Sequence, residues 1–329
     1  MRRLLTTAAA ATAAALTLAA CGTTEPATDD AAAKKTSERI TVTDASGTKV
    51  DLDGPATKVI GTEWHEVEIL ISLGVDPVGV ADVKGYKTWD TAVPLKNEPK
   101  DIGTRGEPSM DTIASLKPDL IVASTDLPPA AVKQMRKVAP VIEVRSADAS
   151  DPVGQMKKNV DLIAKATGTT ERAEKLKEGF DAKVAEGKKA LADAGLGGAK
   201  YAFADGYVVS NQVSVRPFTS GSLIGAVSAE LGLKNAWTVK GDKDYGLGST
   251  DVEGLTKLGD VQFAYIANDG DKSSTPFTEK GALAKDKVWT SLPFVKKGNV
   301  HRLPDGIWMF GGPESMNQYI DALVAALTK

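Results

Sequence analysis

The chain has 329 residues but only one cysteine, Cys21, and two histidines, His65 and His301. A lone thiol closes no intramolecular disulfide. Three such ligands fall short of the four Cys or His that a closed structural zinc site takes. A catalytic triad needs a base beside a nucleophile, and no G-x-S-x-G elbow exists; "GSLIG" at Gly221 is not one. The G-x-x-x-x-G-K-[ST] phosphate loop is missing too. His65 sits in a helical pattern and His301 beside a strand pattern, and both read as structural. Basic residues number 40 against 43 acidic ones, so no basic face is offered to a nucleic acid. Direct metal binding, nucleotide binding and hydrolysis all lose ground; the expectation is a protein that is not an enzyme and holds no cofactor.

What is present begins at the N-terminus. Arg2 and Arg3 precede an apolar run, Leu4 to Ala20, that ends Leu18-Ala19-Ala20-Cys21. A positive start, a short apolar stretch and small residues before the cut mark an export signal. The run is shorter than the ~20 residues of a spanning helix. Leu-Ala-Ala-Cys has the form of a bacterial lipoprotein box, which would make Cys21 the lipidated first residue of an exported, membrane-anchored protein. From Gly22 to about Arg39 the chain is polar and reads as a tether.

Beyond the tether, short apolar runs alternate with helical patterns. "KVIGTE" reads as a strand, "HEVEILISLG" as an amphipathic helix ended by Gly74, and "PVGVAD" as the next strand, followed by a polar-aromatic loop "VKGYKTWD". "MDTIASLKPDLIVAS" reads as a helix, a Lys117-Pro118 break and a strand; "PAAVKQMRKV" leads to "PVIEV". Such alternation implies parallel pairing. From Thr169 to Ala194 one long helical pattern carries Ala173, Leu176, Phe180, Val184 and Leu191. The alternation then resumes with "KYAFAD", a loop, and helices "SLIGAVSAELG" and "TDVEGLTKLG". It closes with the strand "VQFAYIA" and the helix "PESMNQYIDALVAAL". "PSMDTIASLKPDLIVAS" and "STDVEGLTKLGDVQFAYIA" echo one another, with Asp111 against Glu253 and Asp119 against Asp260. The expected fold is two Rossmann-like α/β lobes with mostly parallel sheets, residues 40–168 and 195–329, joined by one long helix at 169–194, with a ligand cleft between them.

Aromatic residues collect in the segments after predicted strands: Trp64, Tyr86, Trp89, Tyr207, Phe218, Tyr245, Trp308 and Phe310. In open α/β sheets, ligands bind outside the carboxyl ends of the strands. Trp237 is assigned to packing. In "IGTRGEPS", Gly103 and Gly106 are expected to turn the backbone so that Arg105 faces the cleft, and Ser109 opens the following helix.

The segments "TEWHEVEILISLGVDPVGVAD", "GYKTWD", "IGTRGEPSMDTIASLKPDLI", "SLIGAVSAELGLKNAW", "GSTDVE", "LPFVKKGNV" and "GIWMFGG" occur in order. In these the chain resembles the substrate-binding lipoproteins of ATP-driven iron-siderophore importers, within them the ferric-hydroxamate binders. The resemblance implies a monomer that hands a ferric siderophore to a membrane permease, the iron being held by the siderophore alone. It implies that Arg105 binds hydroxamate oxygens, and that Trp64, Trp89, Trp308, Phe310 and Tyr245 are pocket aromatics. Leu127 stands where a pocket tyrosine is expected. Asp111 and Glu253 match the acids that dock the transporter, with Glu107 as a nearby substitute. Asp111 would also meet a helix dipole favourably, and Thr250 to Glu253 has capping-box spacing, so either account covers these acids. A neutral ferric hydroxamate suits a site with Arg105, helped by Arg216 and Arg302, better than a highly anionic catecholate does. Haem, cobalamin or a ferric catecholate in the same fold remains the alternative.

Overall fold

The computed structural model describes residues 39–329 apart from 211 and 272–274. All of the described residues belong to one compact unit. The predicted export signal, Cys21 and nearly all of the tether lie outside the described residues.

The unit opens with an antiparallel hairpin, β1 (Ile40–Thr43) and β2 (Lys49–Leu52), which the sequence patterns had not suggested. Alternation follows: β3 (Val59–Gly61), α1 (Trp64–Ser72), β4 (Gly79–Val80), α2 (Val83–Trp89), β5 (Lys100–Asp101), α3 (Met110–Leu116), β6 (Leu120–Ser124), α4 (Pro129–Met135) and β7 (Val141–Val144). These strands form one parallel sheet in the order β5-β4-β3-β6-β7. Two helices then run in succession, α5 (Pro152–Thr167) and α6 (Thr170–Asp193). The second lobe has β8 (Lys200–Val209), β9 (Gln212–Pro217), α7 (Leu223–Glu230), β10 (Lys234–Asn235), a 3-10 turn at Glu253–Lys257, β11 (Gln262–Ile266), α8 (Lys287–Ser291), α9 (Pro293–Lys296), β12 (Val300–Leu303) and α10 (Pro313–Leu327). Its parallel order is β10-β8-β11-β12, with β9 antiparallel on β8.

The echo between the two halves is therefore topological. β3, β4, β6 and β7 hold the places that β8, β10, β11 and β12 hold in the second sheet. The segment before β11 differs from α3 in being a 3-10 turn of five residues. Glycine at 254, and Gly259 with φ of +68°, leave little chain on which a full helix could propagate. No Thr250–Glu253 capping box forms there; the Asp251 carboxylate instead accepts from the Gly254 N–H at 3.0 Å.

Helix α6 belongs to both lobes. Ala173 and Leu176 pack into the core of the first lobe, while Phe180 and Leu191 pack into that of the second. At 24 residues it spans about 36 Å. The two lobes also meet directly through α1, buried along almost its entire length. Ile69 and Leu70 face the first sheet's core, and Val67 and Ile71 join a cluster that includes Trp308 from the second lobe. Glu68 faces α10, a helix that begins Gly312-Pro313 and has no side-chain cap of its own. The Glu68 carboxylate accepts from Gly312 N at 2.7 Å, Ser315 N at 2.9 Å and Ser315 Oγ at 2.7 Å. A carboxylate from one lobe thus satisfies the open N–H groups and the dipole of a helix in the other. Asp90, also buried, receives Ser315 Oγ at 3.3 Å. Burial and the neighbouring Glu68 push the Asp90 carboxyl well above the usual carboxylate range.

Candidate functional site

A cavity of about 430 Å³ lies at the carboxyl ends of both sheets. Much of its wall comes from the segments that follow strands, where side chains leave the sheet, and the rest from the β8–β9 ribbon. Glu63, Trp64 and His65 follow β3; Trp89 ends α2 after β4; Arg105 follows β5; Ser146 follows β7. From the second lobe come Asp205, Gly206 and Tyr207 on β8, Arg216 on β9, Tyr245 and Leu247 after β10, and Trp308, Met309 and Phe310 after β12.

Aromatic rings cross from one lobe to the other. Trp64 and Trp308 meet edge to face with centroids 4.7 Å apart, Trp308 and Phe310 at 5.1 Å, and Phe310 and Tyr245 at 5.6 Å. Edge-to-face packing fixes ring planes as well as positions, so the apolar wall is preformed. The Tyr245 hydroxyl donates across the cleft to the Asp126 carboxylate.

Each lobe contributes one arginine, and each arginine has a carboxylate partner. The turn "IGTRGEPS" is closed by a Gly103–Pro108 bridge and by Ser109 N donating to Ile102 O at 2.7 Å. Gly103, at φ of +100°, occupies a conformation that glycine alone takes freely. Gly106 is not in the left-handed region, and a Cβ there would meet open space, so the turn needs one glycine rather than the expected two. The turn sets the Arg105 guanidinium 3.9 Å above the Trp64 ring and 5.3 Å from that of Trp308. Arg105 Nη1 donates to Glu63 Oε1 at 2.7 Å. Stacking and a single carboxylate contact leave the other N–H groups of the fork for a ligand.

Arg216 is held differently. Its Nε donates to Asp205 Oδ1 at 2.8 Å and its Nη2 donates to Asp205 Oδ2, a two-point grip on a carboxylate whose side chain is 10% exposed. Burial raises the Asp205 carboxyl's pKa while Arg216 opposes the rise. Burial and Asp205 push the Tyr207 phenol up to about 12, keeping it a donor. Burial pushes His65 down, which favours its neutral form.

Of the residues singled out in the sequence, Trp64, Trp89, Arg105, Tyr207, Arg216, Tyr245, Trp308 and Phe310 line the cavity. Three others lie elsewhere. Tyr86 is fully buried, its hydroxyl donating to Val93 O at 2.6 Å; the supposed loop around it is helix α2. Phe218 is buried behind the wall, edge to face with Phe203, and supports Phe310 from 5.8 Å. Arg302 points away from the cavity into a network with Ala267 O, Asp269 and Asp305. Leu127 is a core residue of the first lobe. His301 pairs with Gln262 at 2.7 Å, and Trp237 donates its indole N–H to Phe203 O. Asp111, Glu107 and Glu253 are all exposed. Among the lining residues that sequence reasoning did not assign to the site are His65, read as structural, and the two carboxylates that pair with the arginines, Glu63 and Asp205. The only signal for them was their place, at a helix start and in a strand, each a carboxylate near a cleft-facing segment.

A family model for periplasmic binding proteins matches residues 59–306. The chain belongs to that family. It is 25% identical over 274 residues to the iron(3+)-hydroxamate-binding protein FhuD of Escherichia coli, covering 82% of this chain and 86% of that one. Among solved structures, the Fe3+–Desferal-bound siderophore-binding protein FhuD from Vibrio cholerae superposes with a TM-score of 0.72 at 25% identity, covering 83% of this chain and 98% of that one. FeuA from Bacillus subtilis, a triscatecholate siderophore-binding protein complexed with ferri-bacillibactin, shares the fold: TM-score 0.70, 21% identity, 88% and 98% covered. Members of the family are substrate-binding proteins, not enzymes. Among the described residues no group of three or more His, Cys, Asp or Glu is placed to hold a metal ion, and no helix is long and apolar enough to cross a membrane.

Proposed function

We propose that this protein captures a ferric siderophore of the hydroxamate class outside the cell membrane and delivers it to an ABC importer. The observation that carries the reading is the wall itself: a preformed set of aromatic faces with a stacked arginine, Arg105, whose remaining donors are free to point inward. A ferric tris-hydroxamate is compact and coordinatively saturated. It needs flat apolar surface for its methylene loops and a few N–H donors for its outward oxygens, and no protein ligand to iron. The names of FhuD in two organisms support the ligand class; the triscatecholate name of FeuA shows that fold alone does not decide it.

Three further assignments belong to the same reading. Cys21 carries the lipid that tethers the protein to the membrane. Asp111 and Glu253, with Glu107 nearby, dock the permease, one exposed acid from each lobe at topologically matching places. The protein works as a monomer. Trp64, Trp89 and Trp308 in the wall make tryptophan fluorescence the direct test. Ferric desferrioxamine should quench it at sub-micromolar concentration, whereas haem, cobalamin and ferric catecholates should not. Quenching by one of those alone would overturn the hydroxamate assignment.

A further inference from the structure

The charged groups around the cavity do not sum to a cationic site. Its lining residues hold two guanidiniums, Arg105 and Arg216, and three carboxylates, Glu63, Asp205 and Asp271. A fourth carboxylate, Asp126, receives the hydroxyl of the wall residue Tyr245. The histidine in the wall, His65, is buried. Each arginine already has its charge matched at contact distance, Arg105 by Glu63 at 2.7 Å and Arg216 by Asp205 in a two-point grip. To a ligand several ångströms away, a matched pair presents N–H donors and a dipole rather than a net positive charge.

We propose that Glu63, with Asp205 as its counterpart in the second lobe, sets the charge selectivity of the cavity. By pre-pairing the two arginines, these carboxylates make it a site for neutral or cationic ferric complexes and turn away polyanionic ones. This rests on the siderophore reading above and adds what it lacks, the residues that decide between siderophore classes. Glu63 also has a local duty: at the N-cap of α1 its Oε1 accepts from Trp64 N at 2.9 Å. A glutamine keeps that hydrogen bond through its amide oxygen, losing only the small interaction of a charge with the helix dipole, and carries no charge to set against Arg105. Glu63→Gln therefore separates capping from charge matching, and Asp205→Asn does the same for the other pair.

The test is fluorescence titration of wild type, E63Q and D205N with two probes at one ionic strength. One is ferric desferrioxamine, monocationic through its pendant amine; the other is a trianionic ferric tris-catecholate. The readout is the ratio of the two affinities, with the weak wild-type catecholate binding followed to millimolar probe; a wild type silent at that limit sets a floor that the variants must rise above. A variant that merely loosened the wall would weaken both probes together and leave the ratio in place. An unmatched guanidinium should move the ratio toward the catecholate by about tenfold or more, since one added charge acts on three. A ratio within twofold of wild type in both variants would overturn the proposal. If E63Q does not fold, D205N decides alone by the same criterion. A wild type that binds neither probe sinks the hydroxamate reading on which the proposal rests. A wild type that binds desferrioxamine, with unmoved ratios in the variants, sinks only the charge assignment.

Discussion

Glu63, at the N-cap of α1, and Glu68, five residues on in the middle of that helix, are put to opposite use by the cavity rim and the lobe junction. At the rim, Glu63 is partly open, holds one guanidinium and leaves that cation accessible. At the junction, Glu68 is fully buried and satisfied by three donors from α10. The side chain is the same; what differs is whether the partner is a flexible cation near water or fixed N–H groups away from it. A rim carboxylate can be neutralised at little cost to the fold and at real cost to selectivity. A junction carboxylate is the reverse, because donors left unpaired in the interior have no water to turn to.

Removing the junction carboxylate should have the largest effect. Glu68→Ala strands three buried donors and opens a void, and an expected loss of roughly 3–5 kcal/mol follows from the cost of unsatisfied buried groups. Thermal or urea denaturation measures it; a loss below about 1 kcal/mol would remove the strut from the account of how the lobes are joined. The rim should respond in binding instead. Arg105→Ala removes charge-assisted hydrogen bonds worth about 1.5–3 kcal/mol and should weaken ferric desferrioxamine by roughly 10–100-fold. Its melting temperature should stay near that of wild type. Unchanged affinity would take Arg105 out of the binding surface.

The smallest effect sharpens the junction side. Burial raises the carboxyls of Glu66, Glu68 and Asp90 above their ordinary values. A raised folded-state pKa means that the folded chain holds protons the unfolded chain has released. Stability from these groups is therefore full below about pH 4 and falls as pH rises through the raised values. Asp90→Asn removes one such proton, so the variant's stability should decline less steeply over that window, by up to ~1.4 kcal/mol per pH unit. Parallel pH profiles for the two proteins would show that Asp90 is not a proton holder at the junction.

Much of this arrangement was legible in the sequence, for identifiable reasons. The Lys/Glu-rich periodicity of α6 and the β-branched strands are local signals that tertiary structure did not override. The loop expected over "VKGYKTWD" became α2 because Asp82, in a left-handed conformation, caps Gly85 N and Tyr86 buries its ring; neither shows in so short a stretch of mixed polar and aromatic residues. Helix α5 and the strand β9 that carries Arg216 also escaped notice. In the site, aromatics at strand ends drew attention because their clustering is rare. Tyr86 and Phe218 share that placement yet face inward, since position after a strand does not fix which way a side chain turns. Glu63 and Asp205 were hidden by commonness: charged residues are a quarter of the chain, and only the fold shows which of them meet an arginine.

The cap that Glu68 provides for α10 joins residues 244 and 247 positions apart. No piece of the sequence that stops short of α10 can make that contact. Without α10, Glu68 would have no donors to replace water, so burying it within the first lobe alone would be costly. The first lobe therefore depends for its final packing on a helix that lies 244 positions further along the sequence.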